Sequence, residues 1–296
     1  MQITRYSEWD GSVPAVVSGM PNADYHTHAS ISASGLATIS QYSPAHFKHG
    51  PVSDSTRPKE IGTAVHEAVL EPHLFEHNYM LTSAPDRRQS EYKEAAKVYG
   101  GDRTLTAKEG AHVTGVQEAV WMNPLAAELI GASERELSFF AHDPETGVVV
   151  RCRADAFAQA PTPSGMRIGD LKKCADARLD PFTRAVVRYV YDLKAAFYLD
   201  VIAWATGESI PTSHYRFIAF EDAPPYAGTV YEMTDDWMAR GRRFYREALN
   251  RYADCVAMDE WPAYAHSETL TMPIWMEREE EERADEDGIQ TGEDDE

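Results

Sequence analysis

The stretch RCRADAFAQAPTPSGMRIGDLKKC, from Arg151 to Cys174, holds two carboxylates, Asp155 and Asp170, with Lys172 two places after the second. In a strand, residues two apart share a face, so Asp170 projects with Ile168 and Lys172, and Asp155 with Arg151 and Arg153. If the two strands are neighbours in one sheet, both carboxylates converge at one end of it. Carboxylates that close repel each other unless a cation lies between them, and hard oxygen donors suit Mg²⁺ or Mn²⁺. Such an ion lowers the pKa of a water and neutralises charge on a phosphate, while a lysine beside it orients the nucleophile or stabilises the transition state. The spacing alone leaves an alternative open, because Asp and Lys two apart are also common on an exposed strand face. A second DLK, Asp192 to Lys194, falls within a helical stretch, where two positions subtend about 200° and the side chains point apart.

The elements that must carry these residues follow from pattern. RELSFFAHDPETGVVVRCRADAFA is two apolar, β-branched runs around the turn sequence DPETG and reads as a hairpin; MRIGDLKKC is a third strand. DPFTRAVVRYVYDLKAAFYLDVIAWATG reads as one long helix, with Asp180 as N-cap, Pro181 at its first position and Gly207 as terminator. SHYRFIAFE and AGTVYEMT are further strands, and DDWMARGRRFYREALNRYADCV a last amphipathic helix. Before the hairpin, Leu36, Ile39 and Tyr42 indicate a short helix begun by Ser32 or Ser34. Ile61, Val65, Ala68 and Val69 place one face of RPKEIGTAVHEAVLEP in the core, and Thr106 caps a helix that breaks near Asn123-Pro124. Helices, then three strands, then a helix and two strands predict an α/β fold with helices packed on a sheet.

Composition narrows the class. The chain of 296 residues is 43% hydrophobic, enough for a substantial core. No apolar run nears the length of a membrane span, and the N-terminus has no signal-peptide pattern, so the expectation is a cytosolic protein without a membrane partner. Cys152, Cys174 and Cys255 lie far apart, which excludes a four-cysteine zinc or iron-sulfur site. The net charge of -20 opposes nucleic-acid binding at first sight, but half of it sits in 277–296, where EREEEERADEDGIQTGEDDE holds twelve acidic residues and two arginines. That block reads as a disordered acidic tail, which leaves the basic residues of the remainder free to cluster.

GTAVHEAVLEP, ERELSFFAHDPETGVVVRCRAD, IGDLKKC and YDLKAAFYLD, with ISASGLATISQYSPAHFKHG before them and WPAY and LTMPIWM after, resemble the RecE-like exodeoxyribonucleases (exonuclease VIII) of phages and prophages. These are a branch of the PD-(D/E)XK nuclease superfamily. The resemblance covers roughly residues 25 to 276. It implies an N-terminal extension over 1–24, a single nuclease domain over 25–276 and the tail beyond it. The implied fold is an αβββαβ core, a mixed central sheet flanked by helices. By the same resemblance Asp155 and Asp170 are metal-binding carboxylates, Lys172 is the catalytic lysine and His66 is a helix-borne ligand, completing a site for one or two Mg²⁺ or Mn²⁺ ions. Glu136, in a Glu-x-Ser strand, binds a second metal or positions water. Gly62, one turn before His66, leaves room for a phosphate.

In many relatives the helix after the third strand carries Gln-x₃-Tyr, where this sequence has Lys194 and Tyr198. Arg184, Tyr191 and Tyr198 recur every seven residues with Arg188 and Lys194 alongside, a basic, aromatic stripe suited to a DNA backbone and a stacked terminal base. The family activity is metal-dependent 5′ to 3′ hydrolysis of linear duplex ends, leaving 3′ tails for a recombinase or annealing protein. Relatives form rings, so a homo-oligomer is expected, in a phage or prophage protein of a bacterial host. A single-strand or structure-selective nuclease and a catalytically silent DNA-binding module are the competing readings.

Overall fold

The computed structural model describes residues 1–51, 56–265, 267 and 269–290. Its helices are α1 (Asn22–Thr27), α2 (Ala33–Gln41), α3 (Pro44–His49), α4 (Arg57–Leu70), α5 (Pro72–Asn78), α6 (Ser90–Tyr99), α7 (Ala107–Met122), α8 (Pro124–Gly131), α9 (Leu179–Arg188), α10 (Tyr191–Thr206), α11 (Asp235–Met258) and α12 (Ile274–Gln290). The strands are β1 (Thr4–Arg5), β2 (Ala15–Ser18), β3 (Ile31–Ser32), β4 (Met80–Leu81), β5 (Thr104–Leu105), β6 (Glu134–His142), β7 (Val149–Phe157), β8 (Ile168–Cys174), β9 (Tyr215–Glu221) and β10 (Gly228–Glu232). By contacts the chain divides into Met1–Pro262 and Ala263–Glu296.

Turn chemistry sets the central hairpin. The Asp143 carboxylate accepts from the Thr146 amide at 2.9 Å and hydroxyl at 2.6 Å, and Gly147 takes the left-handed φ of 72° that closes the turn. The resulting β6–β7 pair is the centre of a sheet ordered β1-β2-β6-β7-β8-β9-β10. β8 and β9 run parallel and the other pairs along β2 to β10 run antiparallel, so the sheet is mixed, as the αβββαβ expectation requires. Residues before 25, read as an extension, supply β1 and β2 to one edge of this sheet.

One face buries Leu137, Phe139, Cys152, Ala154, Ile168, Tyr215 and Phe217 against α2, α9, α10 and α11. The other buries Leu171, Ile218 and Phe220 against α4, α5, α7 and α8. Position α4 is fixed at both ends. Arg57 donates to Glu109 at 2.7 and 2.6 Å and to the carbonyls of Gly101 and Thr104 at 2.8 Å. At the C-terminal end, where helix carbonyls lack intrahelical donors, Gln117 donates to the Ala68 carbonyl at 2.6 Å and the Trp121 indole to that of Val69 at 3.1 Å.

Three expectations change. The long helix is broken: Val190 sits at φ 46°, ψ 49°, separating α9 from α10. Neither Gly nor Pro marks the break; the buried Val190 and the packing of Phe182 and Val186 on the core impose it. Arg178 rather than Asp180 is the N-cap of α9, and Gly207 ends α10 at φ 73° as read from sequence. In Ala263–Glu296, α12 occupies most of the stretch expected to be disordered. Glutamate is a good helix former and Arg283 pairs with Glu280 at 3.0 Å one turn away; residues 291–296 lie outside the described residues.

Candidate active site at a fork in the sheet

β7 and β8 pair only through Ala156–Gly169 and Phe157–Ile168, then diverge. β3 takes up the other end of β7, at Val150 and Arg151. Asp155 and Asp170 are the first residues past the last pair. They do not share a face. Asp155 lies with Arg151 and Arg153 towards α4, whereas Asp170 lies with Ile168 and Lys172 towards α10, and they meet because the fork opens between them. The Leu171 amide bridges the gap, donating to Asp155 Oδ2 at 2.7 Å.

On the α4 side, His66 Nε2 is 3.8 Å from Asp155 Oδ2 and its Nδ1 is 3.8 Å from Glu136 Oε1. His66, Glu136 and Asp155 thus bring three donor atoms within 4.8 Å of one another. Glu136 stands opposite Asp155 in the β6–β7 register but makes no ladder pair there, because its backbone is left-handed at φ 51°. That conformation is uncommon for a residue with a side chain, and such strain concentrates at functional sites.

On the α10 side, Asp170 is 6% exposed and both its oxygens are engaged: Oδ1 pairs with Lys172 Nζ, and Oδ2 accepts from the buried Tyr215 hydroxyl at 2.8 Å. Among the described residues, the donor atoms gathered within 4.8 Å of one another are thus those of His66, Glu136 and Asp155, while Asp170, expected as a ligand with His66 and Asp155, holds the lysine. Lys172 Nζ lies 5.1 Å from the Tyr191 ring centroid, and Lys194 Nζ lies 5.4 Å from the same ring. Tyr198 reaches the fork from α10 and lines the cavity with His66 and Asp155. Arg184 and Arg188 remain on the exposed surface of α9, so the break at Val190 divides the expected stripe. The second DLK splays as its helical setting requires, Asp192 pairing with Arg240 on α11 while Lys194 faces Tyr191.

Protonation follows from these neighbours. Burial pushes His66 down, but the Asp155 and Glu136 carboxylates outweigh it and bring it up to about 9. Burial and the charges of Asp170 and Glu136 raise Asp155 to about 7, against His66 and Lys172. Burial also pushes Lys172 down, yet Asp170 and Asp155 more than offset it and hold the ammonium charged above its ordinary value. An imidazole and two carboxylates crowded around one point, one of them made reluctant to ionise by burial and its acidic neighbours, fit a divalent metal with oxygen-rich coordination.

His66, Glu136 and Asp155 line a cavity of about 800 Å³. Despite the net charge, five basic side chains line it: Lys59, Arg103, Arg135, Arg153 and Lys173. Gly62 lines it too, and a Cβ placed there would meet nothing within 4 Å. Sequence reasoning placed Arg153 on the face of Asp155 but assigned it no role. In the structure Arg153 and Arg151 are both buried, and their guanidinium carbons lie 4.1 and 5.0 Å from the Tyr25 ring centroid. Arg153 donates to the Met20 carbonyl at 3.0 Å, and Arg151 to those of His28 and His26 at 2.9 and 3.2 Å, which fastens the segment around α1 to the rim. Tyr215 gave no signal beyond its place in an apolar strand. A separate hollow of about 390 Å³, beside Trp9 and Thr206, contains none of the expected residues.

Among the described residues no helix is long and apolar enough to cross a membrane. No curated protein matches the chain. A crystal structure from Eubacterium rectale, described as that of a "Putative exonuclease", superposes with a TM-score of 0.59, covering 86% of this chain and 96% of that one at 13% identity; at that identity the likeness speaks for the fold. Residues 32–271 match the family described as a PDDEXK-like domain of unknown function (DUF3799). With the forked sheet and its acidic cluster, that match over most of the chain makes the protein a member of this family within the PD-(D/E)XK superfamily.

Proposed function

We propose that the protein is a divalent-metal-dependent DNA exonuclease acting on the ends of linear duplex. The observation that carries this reading is the juxtaposition of a His66, Glu136 and Asp155 donor set with a charged, Asp170-held Lys172 across one fork of the sheet. His66, Glu136 and Asp155 are the residues that would hold Mg²⁺ or Mn²⁺. When bound, the ion supplies charge neutralisation at the phosphate and lowers the pKa of the attacking water. Lys172, kept protonated, donates to a phosphate oxygen as negative charge grows in the transition state. Asp170 and Tyr215 fix its direction. The basic side chains of the cavity accept the backbone of the strand, and Gly62 lets it approach α4. The sequence resemblance extends the reading to 5′ to 3′ resection that leaves 3′ tails for an annealing or recombinase protein, by a ring-shaped homo-oligomer in a phage or prophage setting.

The test is digestion of end-labelled linear duplex and of closed circular DNA with Mg²⁺, Mn²⁺ or EDTA. Linear DNA should be degraded with either metal, release of the labelled end should give the polarity, and EDTA and circles should give nothing. Asp170→Ala or Lys172→Ala should abolish digestion while leaving the circular-dichroism spectrum unchanged. Near-normal activity in either variant overturns the assignment, and cutting of circles replaces it with a structure-selective or endonucleolytic one.

A further inference from the structure

The break at Val190 does more than divide the expected stripe. In a continuous helix Tyr189 and Tyr191 would point about 200° apart. With Val190 left-handed they stack instead, centroids 5.6 Å apart and planes at 28°. Tyr191 is the inner ring, with the ammonium groups of Lys172 and Lys194 beside it. Tyr189 is the outer ring and is 48% exposed. The guanidinium carbon of Arg188, itself exposed, lies 5.7 Å from the Tyr189 centroid. A left-handed β-branched residue is costly, and the burial of Val190 in the core holds it in place. The backbone is thus held in an unfavourable conformation that presents an aromatic ring and a guanidinium to solvent, one ring away from Lys172.

We propose that Arg188 and Tyr189 form a stacking site for an unpaired nucleobase on the strand whose phosphate lies at Lys172. This placement rests on the nuclease reading, but stacking needs no cleavage. Aromatic rings and guanidinium planes take any base by its π-face, whatever the sequence. A base inside a duplex already has both faces covered by its neighbours, so the site admits a frayed or single-stranded end. The enzyme then cuts the strand that has opened at the end.

The test uses the full chain in EDTA, so that nothing is cut, with duplexes carrying 2-aminopurine either in a short 5′ overhang or at an internal paired position. Wild-type protein should quench the overhang probe and leave the internal one unchanged. Tyr189→Ala should lose the quenching and bind the overhang about tenfold more weakly. Tyr189→Phe should behave as wild type, which separates stacking from any role of the hydroxyl, and Arg188→Ala should fall between. Unchanged quenching and affinity in Tyr189→Ala overturns the proposal, as does loss in Tyr189→Phe or equal quenching of the internal probe. Failure of the nuclease reading is seen separately, as wild-type protein that quenches in EDTA but cuts nothing with Mg²⁺ or Mn²⁺.

Discussion

Two lysines flank Tyr191, and their surroundings set them opposite tasks. Lys172 is held charged by Asp170 and Asp155, which suits a donor to phosphate. At Lys194 burial and the charge of Lys172 act together against Asp170 alone, taking it down to about 8. A lysine whose folded value lies below its unfolded value binds fewer protons folded than unfolded across that window. Stability then rises with pH from about 8 towards the unfolded value near 10.5, and below 8 the charged form burdens the fold. Lys194→Gln should therefore stabilise the protein at pH 7 by about 1–3 kcal/mol, raising the thermal midpoint by several degrees. The gain should shrink as the melts are repeated up to pH 10. A gain independent of pH would place its origin in packing of the stem rather than in charge.

At the scale of elements, α4 carries His66 and Gly62 on the face that lines the cavity. Gly62→Ala fills open space in the free protein and removes a helix-weakening glycine, so it should stabilise by up to about 1 kcal/mol. If a phosphate uses that space, kcat/KM on linear duplex should fall roughly tenfold in the same variant. Stability up with activity unchanged would show that substrate passes elsewhere. Much of this frame was legible in sequence because local chemistry dictates it: the Asp143–Gly147 turn, the Thr106 cap and the Gly207 terminus each follow from a few adjacent residues. The break at Val190 was not legible, since burial rather than a breaker residue imposes it. β1 and β3 are two residues each, too short to show a period. The donor set was legible only in part. Alternation gives the face of each carboxylate, but no spacing reveals that Asp155 and Asp170 meet across a fork, or that a left-handed backbone brings Glu136 to His66.

For the whole molecule, charge is the dominant long-range property. Removing 277–296 takes away half of the net charge of -20. Association with DNA at low salt should accelerate in the truncated chain, and the difference should vanish as ionic strength rises and screening shortens below about 5 Å. Equal rates at low salt would mean that the acidic block exerts no field on the approaching strand. The attachment of the segment around α1 has a different kind of consequence. Arg151 and Arg153 hold it through the carbonyls of Met20, His26 and His28, groups that every residue possesses. Of the three side chains only that of His26 is exposed and free of the attachment, since Met20 packs with Tyr25 and Phe140 and the His28 ring lies 4.8 Å from Phe140 and bonds Ser30 at 2.8 Å. Mutation can therefore sample position 26 at the edge of the cavity, and a lineage can retune what the rim favours there without first loosening the fold that bears it.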